Sequence, residues 1–200
     1  MKLNSSTKII MSNVVLVPYR ISHVEKYHSW MNSDELRKQT ASERLSLSEE
    51  YEMQQTWLND ENKCTFIVLD KETLETSGNE VESMIGDANL YLTMTEEDLV
   101  GEIGLMIAET SFRGRGYGKE VLIGLLNYGV KRLNVKKFVA IISLDNSKSI
   151  GMFHKLTFRK VSESSVFNEL TLAREVDADF LQFLEHSTDM YIEAPTEINK

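Results

Sequence analysis

Three glycines alternate with basic and aromatic residues in the segment Arg113-Gly114-Arg115-Gly116-Tyr117-Gly118. The segment lies between an apolar stretch that ends near residue 108 and a pattern of helical spacing that continues to about residue 134. Glycine lets the backbone turn tightly and approach a ligand closely, and the first N–H groups of a helix have no partner within it. The arrangement favours binding of an anion such as phosphate or pyrophosphate, and Arg113, Arg115 and Lys119 add positive charge.

The glycine spacing differs from that of two common nucleotide-binding loops. No Gly-Lys-Ser/Thr follows, as it would in a Walker loop, and glycines at positions 114, 116 and 118 do not have the G-x-G-x-x-G spacing. The spacing by itself leaves the bound anion open, so a nucleotide-binding protein of another kind is one alternative.

Composition and charge restrict the class of protein. The chain has 200 residues, of which 42% are hydrophobic and 26% charged, as is typical of one soluble globular domain. A formal net charge of -9 disfavours nucleic acid and anionic membranes as partners. Cys64 is the single cysteine, and the histidines lack the spacing of metal ligands. We expect a protein of the cytosol or nucleus that binds no metal, nucleic acid or membrane.

Hydrophobic spacing predicts alternating strands and helices. The predicted strands cover residues 14–17, 64–69, 85–93 and 100–108, then 138–142 and a final hairpin of residues 158–161 and 166–172. The predicted helices cover residues 23–32 and 48–58, the segment from the glycines to about 134, a segment after Asn146, and residues 177–185. Ser48 is expected to cap the second helix, and residues 71–83 to form an exposed loop. The pattern predicts an α/β (α+β) fold with one domain over residues 1–188 and a frayed tail over residues 189–200.

A second motif follows the glycine segment after about thirty residues and one short strand. Residues 146–158 have the pattern N-x-x-S-I-x-M-F-x-K-L-x-F, and the glycine segment has the pattern R-x-x-G-x-G over residues 113–118. These two linked motifs resemble those of the GNAT acetyltransferase superfamily. Residues 14–19, 40–43, 63–70 and 164–167 further resemble its N-acetyltransferase 9-like branch, and the resemblance extends over about residues 1–175.

This resemblance implies a fold, an activity and a partner. The implied fold is a mixed sheet of about 6–7 strands, with helices on both faces and a splayed pair of strands at the cofactor site. The implied activity is transfer of acetyl from acetyl-coenzyme A, as co-substrate, to an amine of a protein or peptide, with tubulin as a candidate acceptor. Residues 24–32 and 162–168 would frame the acceptor, whose amine is either a lysine side chain or a chain terminus.

The resemblance also implies the residues of the site. Backbone groups near Met106 to Ala108 would pair with the pantetheine arm, and the glycine segment would hold the pyrophosphate. The implied cofactor-binding residues are Met106, Ile107, Ala108, Arg113, Gly114, Arg115, Gly116, Tyr117, Gly118, Lys119, Asn146, Ser149 and Phe153. Glu102 is the candidate general base, because it lies on the strand that would face the acetyl group.

One position departs from the family pattern. Many members have a tyrosine as general acid where this chain has Phe153, and Thr157 replaces a glycine. Phenylalanine has no proton to donate. Two hypotheses follow: catalysis by positioning and water alone, or a coenzyme A-binding protein with little catalysis that acts as a binding or microtubule-stabilising scaffold.

Overall fold

The computed structural model describes residues 2–196, and its nine strands form one continuous sheet. The strands are β1 (Thr7–Ile10), β2 (Val14–Pro18), β3 (Lys63–Asp70), β4 (Met84–Met94), β5 (Leu99–Ile107), β6 (Lys137–Ser143), β7 (Arg159–Ser164), β8 (Glu169–Glu175) and β9 (Ile192–Pro195). Their order across the sheet is β7-β8-β6-β5-β4-β3-β2-β1-β9. The sheet is therefore larger than the 6–7 strands expected.

The α-helices of the described chain cover the two faces of this sheet. They are α1 (Val24–Met31), α2 (Asp34–Thr40), α3 (Leu47–Asn59), α4 (Lys71–Ser77), α5 (Glu80–Ser83), α6 (Tyr117–Leu133), α7 (Ser147–Lys155) and α8 (Ala178–Ser187). Between residues 2 and 196, no helix has the length and apolar character needed to cross a bilayer.

Strands β5 and β6 are the parallel pair, and every other pairing in the sheet is antiparallel. Their register extends from Val100 opposite Lys137 to Glu102 opposite Val139 and stops there. Strand β5 continues to Ile107 beside β4 alone, and β6 continues beside β8. The two strands therefore part after Glu102, which confirms the predicted splayed pair.

A core cluster lies on each face of the sheet, because side chains of a strand alternate between its faces. On one face α6, α7 and α8 bury residues such as Leu122, Phe153 and Phe180 against the sheet. On the other face α1, α2 and α3 bury residues such as Tyr27 against Ile67 of β3. This arrangement confirms the mixed α/β fold with helices on both faces.

The prediction of an exposed loop over residues 71–83 is wrong. The carboxylate of Asp70 accepts a hydrogen bond from Thr73 N at 2.9 Å and caps α4, and Asn79 caps α5 in the same way. Leu74 and Val81 pack on the core cluster of this face. Polar composition favoured a loop, but side-chain caps and two apolar contacts make short helices here.

Two further predictions are corrected by local structure. The N-cap of α3 is Ser46, not Ser48: its hydroxyl accepts from Glu49 N, and the Glu49 carboxylate accepts from Ser46 N in return. The predicted frayed tail over residues 189–200 is wrong for Ile192–Pro195, which pairs with β1 as β9. Both β1 and β9 have only four residues and no clear alternation, so the pattern does not predict them. Residues 197–200 lie outside the described chain.

Candidate active site

The glycine loop before α6 is open at the start of that helix. Gly114 has a φ of 74° and Gly116 a φ of 92°, a region that favours glycine. Gly116 is the N-cap of α6 and supplies no side chain to its first turn, and a Cβ at either glycine would meet nothing within 4 Å. The first N–H groups of a 17-residue helix are thus available to an anion.

Two basic side chains stand beside these N–H groups. Arg115 and Lys119 form no ion pair with any residue in the range 2–196, and with Gly116 they line a pocket of about 200 Å³. Glu120 lines the same pocket, but its carboxylate accepts from Asn13 N at 2.7 Å and from Asn13 Nδ2 at 2.8 Å. The loop therefore combines backbone donors with two positive charges, which suits a phosphate group.

Arg113 occupies a different position from the other two basic residues. Its Nε donates to the Ile107 carbonyl at 2.7 Å, its Nη2 to the Ala108 carbonyl at 3.1 Å, and its Nη1 to Glu35 at 3.1 Å. Its guanidinium thus holds the glycine loop against the end of β5, and the added charge for an anion at Arg113 stays a prediction.

The backbone near the end of β5 is less free than predicted. Ala108 N donates to the Ile85 carbonyl at 2.8 Å, and Met106 is paired with Asp87 of β4. The Leu99 carbonyl accepts from Lys136 N at 2.9 Å, on the β6 side. Since backbone groups alternate between the two edges of a strand, those of residues 103 and 105 face the gap between β5 and β6. By the same alternation Ile107 faces the gap, although its carbonyl accepts from Arg113 Nε. The backbone groups that face the gap thus belong to residues 103, 105 and 107, and not to Met106 and Ala108.

Tyr117 and Gly118 fix the first turn of α6. The Tyr117 hydroxyl donates to Asp70 Oδ1 at 3.0 Å, and partial burial together with Asp70 raises the pKa of that hydroxyl. A Cβ at Gly118 would lie 3.6 Å from Met152 Sδ of α7, so the two helices approach closely at the loop. Tyr117 thereby ties α6 to β3.

The second motif forms a helix start and part of the core. Asn146 Oδ1 accepts from Ser149 N at 3.1 Å and caps α7. The ring of Phe153 is buried and packs edge-on against Phe158, with ring centroids 5.0 Å apart. These contacts are structural, and coenzyme binding by Asn146, Ser149 and Phe153 stays a prediction.

Glu102 is the last residue of β5 that is paired with β6, and its side chain is exposed. By strand alternation it lies on the same face as Gly104 and Met106, which is the face covered farther along by α1 and α3. Tyr91 of β4 is directly opposite Glu102, and a Cβ at Gly104 would lie 3.5 Å from the Tyr91 ring. The Glu102 carboxylate and the Tyr91 phenol are therefore carried by opposite residues at the point where β5 and β6 part.

A buried polar cluster behind Tyr91 was missed by the sequence analysis. Lys63 Nζ donates to the Tyr91 hydroxyl at 3.3 Å and lies 2.9 Å from the centre of the Trp57 ring. Burial lowers the pKa of Lys63 to about 7, and burial raises the pKa of Asp87 to about 6 and that of Tyr91 to about 12. Asn89 Nδ2 donates to Asp87 at 2.8 Å. The alternation of Asp87, Asn89 and Tyr91 along one strand was the available signal.

The site holds no grouping typical of a metal centre. Within residues 2–196, no three His, Cys, Asp or Glu side chains are placed to hold a metal ion together. Cys64 is buried, and burial raises the pKa of its thiol to about 12.

The glycine loop, the parted strands and the helices on both faces define an acyltransferase architecture, and comparison with known families agrees. Residues 13–159 match the acetyltransferase (GNAT) domain, so the chain belongs to the GNAT family and is an N-acetyltransferase.

Relatives narrow this assignment within the family. The chain is 54% identical to an N-acetyltransferase 9-like protein of Nematostella vectensis, over 86% of this chain and 87% of that protein. It is 47% identical to the human protein named alpha/beta-tubulin-N-acetyltransferase 9, over 98% of this chain and 96% of that protein. The resemblance to the N-acetyltransferase 9-like branch is thereby confirmed.

A solved structure shows the same fold at low identity. The spermidine N-acetyltransferase of Vibrio cholerae, determined in complex with CoA and spermine, superposes with a TM-score of 0.71. The match covers 84% of this chain and 98% of that chain at 16% identity, so it supports the fold alone.

Proposed function

We propose that the protein transfers acetyl from acetyl-coenzyme A to an amine of a protein or peptide. The observation that carries this proposal is the parting of β5 and β6 directly after Glu102, with the open glycine loop at the far end of β5. At one end of the gap, the N–H groups of α6 and two basic side chains could bind a phosphate. At the other end, the Glu102 carboxylate could accept a proton.

The residues at the gap fit an extended ligand that ends in phosphates. Backbone groups of residues 103 and 105 face the gap and would pair with the amides of the coenzyme's arm, as an added strand would. The N–H groups at the start of α6, with Arg115 and Lys119, would bind the pyrophosphate. Acetyl-coenzyme A, when bound, supplies a thioester whose carbonyl an amine can attack.

The groups that we propose to accept and donate protons in the reaction lie on the face of the sheet that carries Glu102. An amine attacks only when neutral, so a base must accept its proton. The proposed base is exposed Glu102, which would accept the proton directly or through one water. Phe153 has no proton for a leaving thiolate. Tyr91 lies opposite Glu102 on the neighbouring strand, and its hydroxyl accepts from Lys63. A phenol is protonated at neutral pH, and burial raises the pKa of this one further, to about 12.

Tubulin is the acceptor that we propose first. Support comes from the name of the human relative, which the relatives from Mus musculus and Drosophila melanogaster share; these two are 46% and 40% identical to this chain. The net charge of -9 would repel an acidic acceptor at long range, so recognition of such an acceptor would depend on local contacts. The proposed place of action is accordingly the cytoplasm, on microtubules or free tubulin.

The test is acetyl transfer by the purified chain. Acetyl-coenzyme A is incubated with tubulin, with peptides that have a free terminal amine, and with terminally blocked peptides that contain lysine. Release of thiol is measured and the modified amine is located by mass spectrometry. We expect thiol release that depends on the acceptor. A chain that binds the coenzyme but modifies no acceptor would contradict the proposal and favour the scaffold hypothesis.

A further inference from the structure

A second pocket lies between α1 and α3, away from the glycine loop. Its volume is about 190 Å³, which exceeds the roughly 30 Å³ that one water occupies in the liquid several-fold. Met31 and Met53 form flexible apolar walls of the pocket. Glu43, in the segment between α2 and α3, also lines it. The pocket therefore has room for a side chain with a long aliphatic stem.

One oxygen of the buried Glu50 carboxylate, which lines this pocket, lacks a hydrogen-bond partner. Glu50 is only 1% exposed, and its Oε2 has no hydrogen-bond partner among residues 2–196. Its Oε1 lies 3.7 Å from Nδ1 of His28, which is its one ion-pair neighbour in that range. Burial raises the pKa of Glu50. A buried carboxylate that lacks a hydrogen bond costs free energy, so a ligand that donates to Oε2 would stabilise the site.

Aromatic rings beside Glu50 add to the preference for a cation. Tyr27 and Trp57 both line the pocket, and their rings meet edge-on with centroids 6.5 Å apart. Aromatic rings attract ammonium and guanidinium groups, and a carboxylate donates nothing but accepts from both. A carboxylate, two aromatic rings and thioether walls together fit an organic cation better than a neutral or anionic group.

The pocket is connected to the proposed reaction site through one continuous series of contacts. Trp57 of the pocket lies under Nζ of Lys63, and Lys63 donates to the Tyr91 hydroxyl. The Tyr91 ring stands over Gly104, where β5 leaves β6. The pocket, Tyr91 and Glu102 therefore lie on the same face of the sheet, where one extended peptide would reach both ends of this series.

We infer that this pocket binds a cationic side chain of the acceptor, an arginine or a lysine close in sequence to the amine that is acetylated. The inference rests on the proposed function and adds to it a chemical class of substrate. Lys63 does not supply this cation itself, because the acidic groups that face it are Asp87 and Asp60 and not Glu50.

The experiment compares arginine with citrulline, which has the same shape but no charge. Short peptides carry either residue at the second, third or fourth position from the amine that is acetylated. Turnover is measured as kcat/KM, and binding in the presence of coenzyme A is measured by calorimetry. We expect arginine to be preferred at least 10-fold at one of these positions. Glu50→Gln should reduce that preference to less than 2-fold.

Glu52→Gln is the matched control, because Glu52 is an exposed residue of the same helix. Glu52→Gln should keep the full preference for arginine. In both variants, kcat/KM for the citrulline peptides should equal that of the wild type. If Glu50→Gln fails to fold, Glu43→Gln at the exposed side of the pocket should still reduce the preference at least 3-fold. Equal use and equal binding of arginine and citrulline peptides by the wild type would overturn the inference.

The two proposals fail in different ways. Binding that prefers arginine and depends on Glu50, without acetyl transfer to any peptide, would uphold the pocket and contradict the enzymatic function. Acetyl transfer with no preference for arginine would uphold the enzyme and overturn the pocket.

Discussion

Arg113 Nε donates to the carbonyl of Ile107 at 2.7 Å, which ties the glycine loop to the last residue of β5. The same guanidinium also donates to the next carbonyl, that of Ala108. The arginine that begins the glycine motif therefore stabilises the loop, whereas Arg115 and Lys119 face the anion pocket. This division of roles between adjacent basic residues can be tested directly.

Arg113→Met should lower the stability of the fold, and Arg115→Met should not. Loss of two hydrogen bonds to backbone carbonyls costs about 1–3 kcal/mol, and the contact with exposed Glu35 contributes little. Thermal unfolding without ligand measures the difference. Arg115→Met should instead weaken coenzyme binding in a calorimetric titration. Equal melting temperatures for the two variants would contradict the structural role of Arg113.

Glu102→Gln should reduce kcat by about 100-fold or more, with little effect on stability, because the side chain is exposed and a general base typically contributes this much. The measurement is steady-state thiol release with a peptide acceptor. The matched control is Glu97→Gln in the exposed turn between β4 and β5, which should leave kcat unchanged. A loss of less than 3-fold in Glu102→Gln would remove this residue from the reaction.

Lys63 should make the fold more stable as the pH rises from 7 toward 9. Burial lowers the pKa of Lys63 to about 7 in the folded chain, against 10.5 for an ordinary lysine. Between these values the unfolded chain binds more protons than the folded chain, so the free energy of unfolding increases with pH, by at most about 1.4 kcal/mol per pH unit. Urea unfolding at pH 7, 8 and 9 measures this slope. In Lys63→Met this rise should be lost, and an identical slope in both proteins would refute the assignment.

Ser46→Ala should destabilise the protein by about 1 kcal/mol, because Ser46 and Glu49 cap α3 reciprocally. Ser48→Ala is the matched control, since Ser48 lies within the exposed first turn, where alanine is well tolerated. Denaturant unfolding of the two variants separates them. A larger loss in Ser48→Ala would show that the helix begins elsewhere.

The sequence predicted those elements whose signal is local and periodic. The long helix α6 and the strands β3 to β6 were predictable because their apolar residues recur with one clear period, and the glycines mark the loop at their junction. The short strands β1 and β9 pair with each other across the whole chain, and nothing in either segment specifies that partner. Helix α4 depends on a cap from Asp70, the last residue of β3, which lies outside both the predicted strand of residues 64–69 and the predicted loop of residues 71–83.

The candidate site was predictable in part for the same reason. Motif spacing located the loop, but it could not show that Arg113 reaches back to Ile107 or that Phe153 is buried against Phe158. The cluster of Lys63, Asp87 and Tyr91 depends on the register of two strands with α3, which the sequence does not display.

The most direct test of the central claim is a calorimetric titration of acetyl-coenzyme A into the wild type, Gly116→Glu and Gly78→Glu. Gly116 and Gly78 both have a positive φ and open space around them, so the two substitutions strain the backbone alike, but only Gly116 begins α6. We predict micromolar binding by the wild type and by Gly78→Glu, and binding at least 50-fold weaker by folded Gly116→Glu. Equal affinity in the two variants, or no binding by the folded wild type, would contradict the assignment of the coenzyme to this loop.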